Sequence, residues 1–182
     1  MIDRKEKFHI WFNSERFSYE HNSCDLAYSL YEHFDEWWDA DKFNWKEALC
    51  LFAHCDHKIE IWFDPDKIDW VRLGGGLPQA APHLFDLWWP YFKEQSWNFD
   101  DNGIDLAKYC SDKFDIWYDQ SKFDGSMKFD DGTNWMNCMN SLASNCANKF
   151  DIWFNPNTFD WDSEDYLDDC AKQFSDWFWT TT

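Results

Sequence analysis

The chain has 182 residues and a formal net charge of −19, from 16 Lys+Arg against 35 Asp+Glu, and it carries 15 Trp, 18 Phe and 7 Tyr. That charge argues against direct binding of nucleic acid or of an anionic membrane, because both require a positive footprint. The aromatic content argues against an acidic disordered chain, which would lack the apolar surface to fold.

Met1 to Lys7 is charged and holds no apolar run, so it does not read as a secretory signal. No later stretch approaches the roughly 18 uncharged apolar residues of a membrane span. Seven Cys is an odd number in a chain long enough to fold without staples. This predicts reduced thiols and a cytoplasmic protein.

From Phe8 the chain repeats. Similar segments open at Phe8, Phe34, Ile59, Phe85, Phe114, Phe150 and Phe174, and Trp stands fourth in each, as Trp11, Trp37, Trp62, Trp88, Trp117, Trp153 and Trp177. Positions one, four and five are large and apolar in every copy, whereas position three is Ile or Leu in five copies and acidic at Glu36 and Asp176. That is the i, i+3, i+4 stripe of a helix; a strand would bury one, three and five. A single Val in the chain also disfavours strands. The seven Trp are therefore the candidate core.

The second half of the unit follows a turn. Ser18, Asn44, Asp69 and Asp160 are helix N-cap residue types, and Asn44 with Glu47 has the spacing of a capping box. After Asn44, the residues Trp45, Leu49, Phe52 and Ala53 mark an expected buried face. Cys55, Cys110, Cys146 and Cys170 stand four residues before the next position one. Each unit then reads as a short helix of about 6–8 residues, a polar turn and a helix of about 10–12 residues. The expected architecture is all-α: two-helix repeats of about 25 residues, one repeat domain over 1–182, stacked as an α-solenoid. A β/α solenoid of Leu-rich-repeat type is the alternative.

Two stretches break the register. Arg72 to His83 contains Gly74, Gly75, Gly76, Pro78 and Pro82, and residues 124–134 are an insertion. Both read as irregular loops. The array begins and ends on the same half-unit, Phe8 and Phe174, which reads as a complete array. The aromatic end from Phe174 to Trp179 lacks a polar cap and suggests self-association.

The charges are also periodic. Lys7, Lys58, Lys113 and Lys149 precede position one, and Arg16, Lys42, Lys67 and Lys122 precede position ten. Asp35, Glu60, Asp86, Asp115 and Asp151 occupy position two, while Asp39, Asp64 and Asp119 occupy position six. Asp160, Asp162, Glu164, Asp165, Asp168 and Asp169 form the densest acidic run.

No chemistry-bearing motif stands clear of this pattern. Cys50, His54, Cys55 and His57 are potential zinc ligands, but on a helix Cys55 points about 100° from Cys50 and His54. Cys55 is also the repeat's own Cys, which reads as a small buried thiol. The acids of Asp64 to Asp69 and Asp100 to Asp105 lack the calcium-loop spacing and read as turns. Gly74 to Gly76 lacks the Lys-Ser/Thr of a phosphate loop. The reading assigns no catalytic residue, no metal and no cofactor.

The profile is similar to that of phage or mobile-element inhibitors that mimic nucleic acid or occupy basic grooves, a likeness of composition alone. It implies a non-enzymatic interaction module whose partner is a protein with a basic surface or groove, not a nucleic acid or a membrane. The expected partner-binding residues are Asp160, Asp162, Glu164, Asp165, Asp168 and Asp169, with Arg72, Gly74, Gly75 and Gly76. A small-ligand or carbohydrate module with a pocket near Gly74 to Pro82, or a plain scaffold, is the alternative.

Overall fold

A computed structural model describes residue 8 and residues 12–94, 99–120, 138–157 and 170–181. Two compact units divide the chain, Met1–Leu73 and Gly74–Thr182. The first holds α1 (Tyr19–Ser29), α2 (Phe34–Trp37), α3 (Ala48–His54), α4 (Ile59–Trp62) and α5 (Trp70–Leu73). The second holds α6 (Gly76–Ala80), α7 (Phe85–Phe92), α8 (Phe99–Tyr109), α9 (Phe114–Trp117), α10 (Cys138–Asn145), α11 (Phe150–Trp153) and α12 (Ala171–Thr181). The described residues are mostly helical and include no strand, which disfavours the β/α alternative.

The short element differs in detail from its expected form. A single 3₁₀ turn precedes position one, at Tyr31–His33, Asp56–Lys58, Pro82–Leu84, Ser111–Lys113 and Ala147–Lys149. The α-helix proper then lasts four residues in α2, α4, α9 and α11. It stops because position five turns extended, with ψ between 108° and 126° at Trp38, Phe63, Tyr118 and Phe154. Its amide still donates to the position-one carbonyl at 2.9 Å. The position-five ring stacks on position one, as in Phe34–Trp38, Phe114–Tyr118 and Phe150–Phe154, and it does so with or without the bend, since Phe85–Trp89 stacks within the continuous α7. Position one meets the Trp at position four edge-on, at 4.9–5.2 Å in Phe34–Trp37, Phe85–Trp88, Phe114–Trp117 and Phe150–Trp153. Where Ile59 replaces Phe, Phe52 supplies the edge-on ring to Trp62 at 5.0 Å. Such pairs prefer this geometry because the positive ring edge meets the negative face.

Trp37, Trp62, Trp88, Trp117 and Trp153 are fully buried, as the stripe predicts. Each indole Nε1–H donates to the carbonyl seven residues earlier, at Leu30, Cys55, Ala81, Cys110 and Cys146, over 2.7–2.9 Å. These carbonyls directly follow the preceding helix and also accept the amide three residues on, from His33, Lys58, Leu84, Lys113 and Lys149, so the indole takes their second acceptor position. The Trp therefore fills the core and closes a helix terminus at once. Trp11 lies outside the described residues, and so does the Trp177 side chain.

The long elements join neighbouring units of the repeat. In the first compact unit α1 packs on α3, and in the second α8 packs on α6 and on α10. The Cys55 thiol donates weakly to the Ala27 carbonyl, Cys146 to Ala107 and Cys170 to Ala143. Small residues at both ends allow this approach. The expected stripe on α3 is corrected: Ala48, Leu51, Phe52 and Cys55 are buried, whereas Ala53 is exposed and Trp45 and Leu49 are half-buried. The reason is that Trp45 sits in a 3₁₀ turn, Trp45–Glu47, which offsets the helical phase by part of a turn.

Two further corrections concern the caps and the interruption. The Asn44 side chain accepts from Lys46 N, as an N-cap should, but the Asn44 amide donates to Ser23 Oγ of α1 rather than to Glu47, so the reciprocal capping box does not form. Arg72 to His83 is not an open loop. Gly74, at φ 40°, ends α5, helix resumes at Gly76, and Leu77, Pro78 and Ala81 are buried. Glycine alone reaches that φ without steric cost. The insertion at 124–134 lies outside the described residues.

Candidate functional site

The periodic acids serve two purposes. At position six the side chain caps its own turn. Asn13, Asp39, Asp64 and Asn155 each accept from the amide two residues on, at 2.9–3.2 Å. Asp39 is partly desolvated, yet hydrogen bonds from Asp41 N and Lys42, with the Lys42 charge, hold its carboxyl below the usual range. The Asp64 to Asp69 turn therefore spends its carboxylates on backbone: Asp64 accepts from Asp66 N, and Asp69 accepts from Arg72 N. This matches the reading of these residues as turn formers.

At position two the carboxylates tie one copy to the next. Lys58 donates to Asp35 at 2.6 Å, Lys113 to Asp86 at 2.7 Å and Lys149 to Asp115 at 2.5 Å. The hydrogen bond to Asp86 raises the Lys113 pKa above its ordinary value. Lys42 and Lys67 donate to turn carbonyls of the preceding copy, Ser14 and Ala40. The Lys rows are thus ties between copies.

What the short helices leave in solvent is more specific. Glu60, Asp86, Asp115 and Asp151 are exposed, and each is followed by an apolar residue at position three. Of these, Ile61, Ile116 and Ile152 are 56%, 54% and 49% exposed, and Leu87 is half-buried. The helical stripe predicts that position three faces away from the core, yet it is Ile or Leu in these four helices. Residue 84 is Leu and residue 173 is Gln, so Glu60 and Asp151 lack the Lys that follows one copy after Asp35, Asp86 and Asp115. Asp151 also borders an open hollow lined by Phe150, Lys172, Gln173 and Asp176.

The expected site residues divide sharply. Asp160, Asp162, Glu164, Asp165, Asp168 and Asp169 lie outside the described residues, and the side chains of the aromatic end from Trp177 do too. Arg72 is exposed and its Nε–H donates to the Lys46 carbonyl at 3.1 Å. Gly74 and Gly75 are half-buried turn residues, and the half-buried Gly76 opens α6.

The cysteines required a different reading. Cys24 and Cys50 form a disulfide, which corrects the expectation that all thiols are reduced. Both stand five residues after the aromatic that follows the cap, Tyr19 and Trp45, so packing α1 on α3 brings them together with a Cα separation of 5.4 Å. Cysteine parity could not reveal this, since an odd set still contains pairs. Cys55, Cys110, Cys146 and Cys170 are buried and stand outside the disulfide. Burial, then nearby acids, pushes the Cys55 and Cys110 thiols up to about 12, and burial does the same for Cys146 against the Lys149 charge. Cys55 is therefore the buried thiol the repeat implied. His54 instead turns to Tyr28, edge-on at 4.9 Å.

No helix of the described residues is long and apolar enough to cross a membrane. Neither a protein-family model, nor a curated protein, nor a solved structure matches this chain.

Proposed function

We propose that the chain is a non-enzymatic acidic interaction module, an α-solenoid that engages a basic surface or groove of a partner protein. In its sharpest form it is a phage or mobile-element inhibitor that occupies a groove built for nucleic acid. One observation carries this reading: four helices that open at position one, α4, α7, α9 and α11, present an exposed acid followed by an apolar residue, Glu60-Ile61, Asp86-Leu87, Asp115-Ile116 and Asp151-Ile152. Ile exposed repeatedly at one register position supports a contact surface on these helices. The adjoining acids select cations and reject acidic partners. Support for the solenoid comes from ties that recur at the repeat offset, Lys58 to Asp35, Lys113 to Asp86 and Lys149 to Asp115.

The test is capture of proteins on the immobilised chain from a lysate of the source cells, at about 50 and about 200 mM salt, the range over which charge-driven association weakens steeply. The captured partner is expected to fall away at the higher salt. It is also expected to be lost when Glu60 and Asp151 are changed to Lys, or when Asp162, Glu164, Asp165 and Asp168 are. Capture unchanged by salt and by both sets of reversals overturns the reading.

A further inference from the structure

The disulfide lies within a larger cluster. Glu47, Cys50 and His54 fall three and four residues apart, so they form one stripe along α3 and the turn before it. Cys24 and Tyr28, four apart, form the facing stripe on α1, and the Tyr28–His54 contact shows the two stripes meeting. The Cys24 and Cys50 sulfurs and a Glu47 carboxylate oxygen all lie within 4.8 Å of one another. All three residues are half-buried, neither sealed in the core nor fully in water. The Asn44 amide, which Glu47 would satisfy in a capping box, is already satisfied by Ser23, so the carboxylate is not used there.

We propose that the reduced chain binds one zinc ion through Cys24, Cys50 and Glu47, with solvent in the fourth position, and that this site and the disulfide are alternative states of the same cluster. Two thiolates and one carboxylate from two packed helices form a donor set that zinc accepts. Zinc–sulfur bonds of about 2.3 Å place two tetrahedral thiolates roughly 3.8 Å apart. The Cα atoms, 5.4 Å apart, are close enough for two thiolates to share one ion. The chemistry balances in two steps. A phosphine or dithiol reductant cleaves the disulfide and is itself oxidised, leaving two thiols. Zinc then displaces one proton from each thiol to solvent, forming two zinc–sulfur bonds. The buried thiols do not compete, because Cys55, Cys110 and Cys146 resist ionisation and are enclosed by neighbouring helices. In either state α1 stays fastened to α3.

The experiment uses the full chain, reduced with a phosphine, desalted without air and titrated with Co²⁺ as a spectroscopic stand-in, then with Zn²⁺. The expected result is a thiolate-to-cobalt absorption that saturates at one equivalent and is removed by Zn²⁺, while the oxidised chain gives no such band. Cys24→Ser and Cys50→Ser should each lose the two-thiolate band, and Cys55→Ser should keep it. Glu47→Gln should weaken uptake by more than the roughly 10–100-fold that loss of an outer-shell partner costs. This variant retains both thiols and the disulfide, so its fold is checked by circular dichroism in the oxidised state even if the Ser variants unfold. Absence of the band in the reduced wild type, or a band of unchanged affinity in folded Glu47→Gln, overturns the site.

Discussion

At position four the indole performs two separable tasks, filling the core and closing a helix end. Trp62 is buried, and its Nε1–H reaches the Cys55 carbonyl at 2.7 Å. Trp62→Phe keeps most of the apolar volume but removes the indole donor and leaves the Cys55 carbonyl with the Lys58 amide alone, a cost of about 0.5–1.5 kcal/mol. Trp62→Ala also opens a cavity, and its cost rises to about 3–5 kcal/mol. Urea unfolding of both variants checks the order; equal losses would show that the hydrogen bond contributes nothing beyond volume. The thiol one copy-end away gives a second, pH-dependent expectation. Burial pushes Cys55, Cys110 and Cys146 from an ordinary value near 9 up to about 12. Between those values the native chain holds protons that the unfolded chain releases, so stability is full below about pH 9 and falls as pH rises toward 12. The urea midpoint should therefore decline from pH 9 to pH 10.5, and Cys55→Ala should flatten that decline. A midpoint independent of pH over this range would contradict the burial of these thiols.

The short helix is one turn long and has little stability of its own. It persists because position one, position four and position five pack on one another and on the preceding long helix. The ion pairs between copies add less. Lys113 and Asp86 meet at 2.7 Å, but Asp86 is largely in solvent. Exposed pairs of this kind are weak and screened by salt. Lys113→Met should lower the melting temperature far less than Trp117→Phe, and the difference from wild type should vanish at about 1 M salt, where the Debye length is near 3 Å. A loss that persists at high salt would assign Lys113 a packing role instead, through its stem over the Phe85 ring. What was legible at this scale follows from burial. Trp at position four and the acidic substitutions at position three identify the helical phase, because core residues tolerate little change. The 3₁₀ turns were not legible, since they depend on backbone geometry with no residue type of their own, and they are why the face of α3 was misplaced by part of a turn. The turn role of position six was legible at Asp64, whose spacing marks a turn, and the structure adds the amide it accepts, that of Asp66. The Cys24–Cys50 pair needed the packing of α1 on α3, and its one-repeat spacing of 26 residues was the available signal.

For the whole molecule the question is what holds a chain of charge −19 folded and keeps it apart from its neighbours. The ion pairs between copies are local attractions, whereas the surplus acids act at longer range and in one direction. Asp35, Asp86 and Asp115 are offset by Lys, but Glu60 and Asp151 have no Lys at the corresponding place. Salt screens both terms. The attractive pairs are exposed and contribute little at any salt, so screening them costs little, while repulsion among carboxylates farther apart than about 10 Å is largely removed at 0.1 M. Self-repulsion of a high net charge destabilises the compact state. Raising sodium chloride from about 10 mM to about 500 mM should therefore raise the melting temperature of the isolated chain, opposite to its effect on a charge-driven complex. The exposed Ile residues give this expectation a control. Ile61→Ser, Ile116→Ser and Ile152→Ser together remove apolar surface from water rather than from the core, so the salt response and the melting temperature should stay near wild type while partner capture falls. A melting temperature that drops with added salt would mean that paired charges dominate the acidic surplus. A triple Ser variant that unfolds would mean that these Ile side chains are covered by the chain itself.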